Sequence, residues 1–360
     1  MKRRDFMRLA AASPLLAGAP ALFAATATSS SSPQAGGWRS FELSYEVDLS
    51  AQTGAGRVWL PLPADAGDYQ TVHSIKWADA PAGAALNWDP EYQATMFSAE
   101  LPAAASARRF SVTAVVSTRD RNRSAPGPVR PLTEDVARYL APTLHMPNDG
   151  IVATTATKIV QGIKSPDARA RAIYDWVVDN AFRNPKTRGC GLGDIKFMLE
   201  TGDLGGKCAD INSLFVGLAR AAGLPAREMY GVRVATSSQF KSLGKVDDIS
   251  KAQHCRAEYF SPRYGWVAVD PADVRKAVLE EKLPLTDPRI VALRERLFGY
   301  WEMNWVGFNT ARDFALAPPA HEPLPYLMYP YGEFGEVTLD GREPDHFNFK
   351  LTSREMVTGS

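Results

Sequence analysis

The chain has 360 residues with 41 Lys and Arg against 40 Asp and Glu, a formal net charge of +1, and 45% hydrophobic residue types. That near-balance, with no basic run beyond the N-terminus, excludes nucleic acid and anionic lipid as partners. The length allows two domains with proper cores, and past residue 27 no segment has the apolar length of a membrane span.

The first residues read as an export signal. Lys2, Arg3 and Arg4 form a charged head, and Arg3-Arg4-Asp5-Phe6-Met7-Arg8 has the twin-arginine form. The Ala/Leu-rich stretch over residues 9–25 is broken by Pro14, Gly18 and Pro20, too short and interrupted to span about 30 Å of hydrocarbon. Ala25-Thr26-Ala27 offers small residues at the spacing a signal peptidase needs. A cleaved twin-arginine signal peptide over residues 1–27 is therefore expected, with delivery of the folded protein to the periplasm. Cleavage removes four basic residues and one acid, leaving a mature charge of about −2. Residues 28–37, rich in Ser, Thr and Gly, form a linker.

Residues 38–123 read as a small β-sandwich domain. Phe41, Leu43, Tyr45 and Val47 alternate with polar residues, Val58 and Leu60 flank Trp59, and residues 110–115 alternate again. Ser124-Ala125-Pro126-Gly127-Pro128 marks a boundary, beyond which helical periods appear. A short helix is expected over 133–141 and a longer one over 166–182. In the latter, Ala170, Ile173, Tyr174, Val177, Val178 and Ala181 share a stripe behind the Ser165-Pro166 start. A second domain is assigned to 129–283, and 284–360 is an aromatic and proline-rich extension packing on it.

At Gly205-Gly206-Lys207-Cys208 a loop becomes a helix. Ile211, Leu214, Phe215, Leu218, Ala219 and Ala222 then fall at helical spacing with one buried face, before Gly223 and Pro225 end the run. Cys208 thus sits in the first turn, where free N–H groups and the helix dipole favour a thiolate. Its own N–H is a candidate oxyanion donor. The histidine and carboxylate come from a hairpin: 253–260 alternates, Ser261 to Gly265 turn, and Trp266-Val267-Ala268-Val269-Asp270 returns. If 254 faces 270, then His254 and Asp270 share a face of neighbouring strands, and a carboxylate there holds an imidazole in one tautomer. Cys208, His254 and Asp270 are the expected nucleophile, base and orienter.

The three cysteines, Cys190, Cys208 and Cys255, are an odd number, so at least one thiol is unpaired within the chain, and a Cys190–Cys255 disulfide stays open. A zinc site built on Cys255 and His254 with Cys190 or Cys208 is disfavoured, because the spacing matches no standard zinc motif and successive strand residues point oppositely. No metal or cofactor is expected. His73, His145, His321 and His346 are isolated and are read as structural or surface residues. Trp301, Trp305 and Asn309 are read as core packing in preference to a cover over the cleft.

These blocks resemble the transglutaminase-like superfamily of bacterial cysteine enzymes. The residues that carry the likeness are Gly206-Lys207-Cys208, Ala219-Arg220-Ala221-Ala222-Gly223-Leu224-Pro225-Ala226-Arg227, His254, and Trp266-Val267-Ala268-Val269-Asp270-Pro271, within residues 168–275. The resemblance implies an α+β fold with a papain-like transglutaminase core, its catalytic helix packed on an antiparallel sheet and preceded by the small β-sandwich. It implies thioester chemistry on a peptide or protein substrate, including a cell-envelope peptide, with peptidase or amidase activity favoured over crosslinking. The alternative is a catalytically silent periplasmic binding protein that keeps the fold. One departure stands out: Cys255-Arg256 occupies the place where many members carry an Ala-Trp pair, which bears on the substrate groove.

Overall fold

Alternation along the first strands dictates how the β-region packs. In the computed structural model, which describes residues 37–104, 108–343 and 347–356, the strand Arg39–Asp48 buries Phe41, Leu43, Tyr45 and Val47 and turns the intervening residues outward. The expected signal peptide and residues 28–36 of the linker lie outside the described residues. Among the described residues no helix is long and apolar enough to cross a membrane.

Two five-stranded antiparallel sheets share one core. The first runs in the order Asp247–Asp248, Phe349–Met356, Arg39–Asp48, Arg109–Thr118, Gln70–Ala78. The second runs Val337–Asp340, Tyr331–Phe334, Gly56–Pro61, Thr95–Leu101, Ala85–Trp88. Phe41, Leu43 and Val112 of the first meet Val58, Leu60 and Phe97 of the second, as the inner faces of a sandwich do. Each sheet takes strands from both ends of the chain, so residues 331–356 complete the layers begun by residues 39–118.

The third sheet is four-stranded and antiparallel, in the order Gly265–Val269, Gln253–Ser261, Ala226–Arg233, Trp305–Asn309. Against it packs the helix Cys208–Ala221, with Pro166–Asn180, Gly150–Ile159 and Pro271–Glu280 around that helix. The Cys208 helix is buried from Cys208 to Arg220, not on one face only, because the sheet lies on one side and the other helices enclose the rest. Polar residues therefore enter its interior positions, and each has a partner: Ser213 donates to Glu228 Oε1 at 2.8 Å, and Arg220 Nε to the Ala226 carbonyl at 2.8 Å. The helix expected over 133–141 is one α-turn, Glu134–Ala137, running into a 3-10 turn. The 166–182 helix spans Pro166–Asn180 with all its stripe residues buried, and the Ser165 side chain caps it. The chain is α+β with antiparallel sheets.

Candidate active site

Cys208 opens its helix because the preceding backbone is fixed from two sides. Gly206 pairs in parallel with Arg183, and the Asp210 carboxylate folds back to accept the Lys207 N–H at 3.0 Å. The same carboxylate accepts the N–H groups of Leu192 and Gly193 at 3.0 and 2.9 Å, so the loop bearing Cys190 is tied to the helix start. Ala209 N–H donates to the Cys190 carbonyl at 2.9 Å, completing the tie. Gly191 has φ +94°, and a Cβ there would strike the Asp210 carboxylate, so the close approach requires glycine. Sequence reasoning passed over Asp210; the acid three residues after the N-cap position was the available signal.

His254 and Asp270 meet, but not in the register expected from the sequence. The pairs are Ala257↔Val269, Glu258↔Ala268 and Ser261↔Gly265, a shift of two residues that sets Asp270 beside Arg256 and makes His254 its diagonal neighbour. The cause lies in the turn: Gly265 takes φ +72°, which closes a three-residue loop at that residue. A shift of two keeps every side chain on its face. The His254 Nε2 to Asp270 Oδ2 distance is 2.7 Å, with His254 3% and Asp270 0% exposed. Asp270 also caps the Pro271–Glu280 helix by accepting the Asp273 N–H at 3.1 Å, and receives Asn212 Nδ2 at 3.4 Å.

Because Nε2 faces Asp270, the other imidazole nitrogen, Nδ1, is left for the thiol. Cys208 interacts with His254, Cys190 and Cys255, and all three cysteines are free, so the Cys190–Cys255 bridge left open by the sequence is not formed. Burial opposes ionisation of Cys208, yet hydrogen bonds from Cys190, Cys255 and His254 outweigh it and draw this thiol well below its ordinary range. Cys190 is pushed well up by its bond to Cys208 and by burial, and Cys255 by burial and then by Cys208. Burial and Arg233 depress His254, but Asp273 and Asp270 prevail and its pKa is raised. The directions favour a thiolate beside an imidazolium.

The residues around His254 explain how it is held. Trp305 Nε1 donates to the His254 carbonyl at 2.8 Å. Arg256 is buried, lies 4.8 Å from the Trp305 ring centroid, donates to the Glu302 carbonyl at 2.8 Å and approaches Asp270 Oδ2 at 3.6 Å. The Cys255-Arg256 pair is therefore inside the molecule, with Cys255 at the thiol cluster and Arg256 bracing the carboxylate. Trp301 and Trp305 are fully buried, and Asn309 donates to the Leu327 carbonyl at 2.8 Å. His254, Asp270 and Asp273 bring metal-ligand atoms within 4.8 Å of one another. A cation there would meet Arg233, which bonds Asp273 at 2.5 Å, as well as Arg256, so the charge of the two carboxylates is already balanced.

The remaining histidines lie elsewhere: His73 against Ser117 Oγ at 2.7 Å, His145 against Asp313 at 2.5 Å and His321 near Glu333 at 3.5 Å. His346 lies outside the described residues. Cys208 and His254 line a cavity of about 110 Å³ with Arg183, Arg233, Lys245, Lys251, Gln253 and Lys276. A larger cavity of about 890 Å³, lined by Tyr69, Arg121, Arg227 and Trp266 among others, includes none of Cys208, His254 and Asp270.

Comparison with known proteins bears on the family and the fold. Residues 153–271 match the transglutaminase-like superfamily. The chain is 37% identical over 338 residues to an uncharacterized protein of Haemophilus influenzae, covering 88% of this chain and 91% of that one. Among solved structures, a provisionally assigned cysteine protease of Cytophaga hutchinsonii superposes with a TM-score of 0.54 at 16% identity, covering 90% and 93% of the two chains, a likeness of fold. The periplasmic domain of TgpA from Pseudomonas aeruginosa, bound to ethylmercury, gives a TM-score of 0.34 at 15% identity, covering 68% of this chain and 92% of that one.

Proposed function

The chain belongs to the transglutaminase-like superfamily, and from that premise we propose that it is an exported cysteine enzyme cleaving amide bonds in peptide or protein substrates. Cys208 is the nucleophile, His254 the general base and acid, and Asp270 the group that holds the imidazole tautomer and stabilises its charge. The observation that carries this reading is the buried His254–Asp270 contact at 2.7 Å beside a cysteine in the first turn of a helix.

The thiolate of Cys208 attacks the carboxamide carbon and a C–S bond forms. The oxyanion is met by the N–H of Cys208 at the helix start, since those of Lys207 and Ala209 are taken by Asp210 and the Cys190 carbonyl. The C–N bond breaks as His254 passes its proton to the departing amine. Water, deprotonated by His254, then attacks the thioester; the C–S bond breaks, the acid leaves and Cys208 is restored. An amine in place of water gives transamidation. Peptidase or amidase action is the favoured outcome, and the twin-arginine pattern of residues 1–27 supports a periplasmic setting.

The test is to incubate the mature protein with periplasmic peptides and a mass-labelled amine and to weigh the products. New free acids that vanish with Cys208→Ala support hydrolysis, and label incorporation shifts the reading to acyl transfer. No Cys208-dependent product of either kind overturns the proposal and leaves a binding protein with this fold.

A further inference from the structure

The cavity at Cys208 is one-sided in charge. Arg183, Arg233, Lys245, Lys251 and Lys276 line it, and no carboxylate does. Two of the five have an ion-pair partner among the described residues: Arg233 bonds Asp273 at 2.5 Å and Lys276 approaches Glu280 at 3.9 Å. Among the described residues Arg183, Lys245 and Lys251 have no carboxylate within 4.0 Å, although surface cations elsewhere pair repeatedly.

Placement makes this more than a surface patch. Arg183 is fixed by backbone pairing with Gly206, two residues before the nucleophile, and Asn184 N–H donates to the Gly206 carbonyl at 2.8 Å. Lys276 is half-buried on the helix that Asp270 caps, and burial with the nearby Arg233 lowers its pKa to about 8, a cost that an anion at this spot would relieve. Gln253, next to His254, is 8% exposed and lines the same cavity, yet among the described residues neither its Oε1 nor its Nε2 has a hydrogen-bond partner. An unsatisfied buried amide beside unpaired cations is what a polar ligand group would complete.

We propose that Arg183, Lys245, Lys251, Lys276 and Gln253 form a carboxylate-binding subsite next to Cys208, so that the substrates are peptides bearing a free carboxylate close to the scissile amide. The lysines steer and neutralise the carboxylate, Arg183 offers planar paired donors, and the Gln253 amide donates to it from the buried side. This inference rests on Cys208 being the nucleophile.

A pair of alkylating reagents tests it, because iodoacetate and iodoacetamide differ chiefly in the carboxylate. Both rates are measured at Cys208 by peptide mass mapping, below neutral pH, for the wild type and for the exposed-residue variant Lys245→Gln/Lys251→Gln. Arg183→Gln serves as a second variant, with circular dichroism to verify folding. The iodoacetate-to-iodoacetamide rate ratio is expected to fall about three- to tenfold in the double variant and to fall with added salt in the wild type. A ratio unchanged in both variants overturns the subsite alone. Failure of iodoacetamide to modify wild-type Cys208 below neutral pH overturns the nucleophile reading instead, and failure of iodoacetate alone overturns the subsite.

Discussion

Asp270→Asn separates the chemical task of this carboxylate from its structural one. Asparagine keeps an oxygen for the Asp273 N–H, now received at 3.1 Å, and is itself a good helix cap. What it loses is the negative charge 2.7 Å from His254 Nε2 and 3.6 Å from Arg256 Nε. Its amide would donate toward Nε2, moving the imidazole proton to Nδ1, the nitrogen facing the thiol, where it can no longer accept the thiol proton. Without imidazolium support, Cys208 moves toward an ordinary thiol pKa of about 8.5, at which about 1% is thiolate at pH 6.5. The Cys190 and Cys255 donors and the helix start persist, so alkylation by iodoacetamide at that pH should slow about 10- to 100-fold. Turnover of a substrate should fall further, about 10³- to 10⁴-fold. Burial and Asp273 already push the Asp270 carboxyl up, so losing its charge should cost little, about 1–3 kcal/mol by urea unfolding. Asp270→Ala, lacking the cap, should lose about 1 kcal/mol more. Wild-type alkylation of Asp270→Asn at pH 6.5 would refute the assignment of Asp270 as orienter.

Substitutions at three further positions probe the surroundings. Asp210→Ala leaves the N–H groups of Lys207, Leu192 and Gly193 without their acceptor and should lower stability by about 3–5 kcal/mol in urea, while Asp210→Asn, which keeps an oxygen for Leu192 and Gly193, should cost less. Trp305→Phe removes the donor to the His254 carbonyl and should cost about 1–3 kcal/mol, read as an earlier unfolding midpoint. Cys190→Ala withdraws a thiol that stabilises the Cys208 thiolate. Losing such a donor raises the pKa, so alkylation at pH 6.5 should slow about three- to tenfold, with little change at pH 9.

The elements that carry the candidate site were more legible in the sequence than those around them. Cys208 at a glycine-to-helix junction, and His254 and Asp270 at hairpin positions, are set by local spacing, and a register slip of two residues left their faces unchanged. The slip itself was hidden because alternation fixes faces but not pairing; only the φ of Gly265 chose the turn. The helices Gly150–Ile159, Ile195–Thr201 and Pro288–Arg296 escaped notice because the first is rich in β-branched residues, the second has one and a half to two turns, and the third is dominated by charge. Asp210, Arg233, Asp273 and Trp305 act through partners 17 to 51 residues away, which no local pattern marks. The strands over 331–356 join sheets begun some 300 residues earlier, a pairing set by tertiary contact.

The state of the Cys208 thiol tests the central claim most directly. Its ultraviolet thiolate absorbance can be titrated as the difference between wild type and Cys208→Ala, with Cys190 and Cys255 remaining protonated because their pKa values are raised. The account predicts a thiolate already formed below about pH 7, since a lowered pKa keeps the anion as the pH falls. A single rise near pH 8.5, that of an ordinary cysteine, would contradict it.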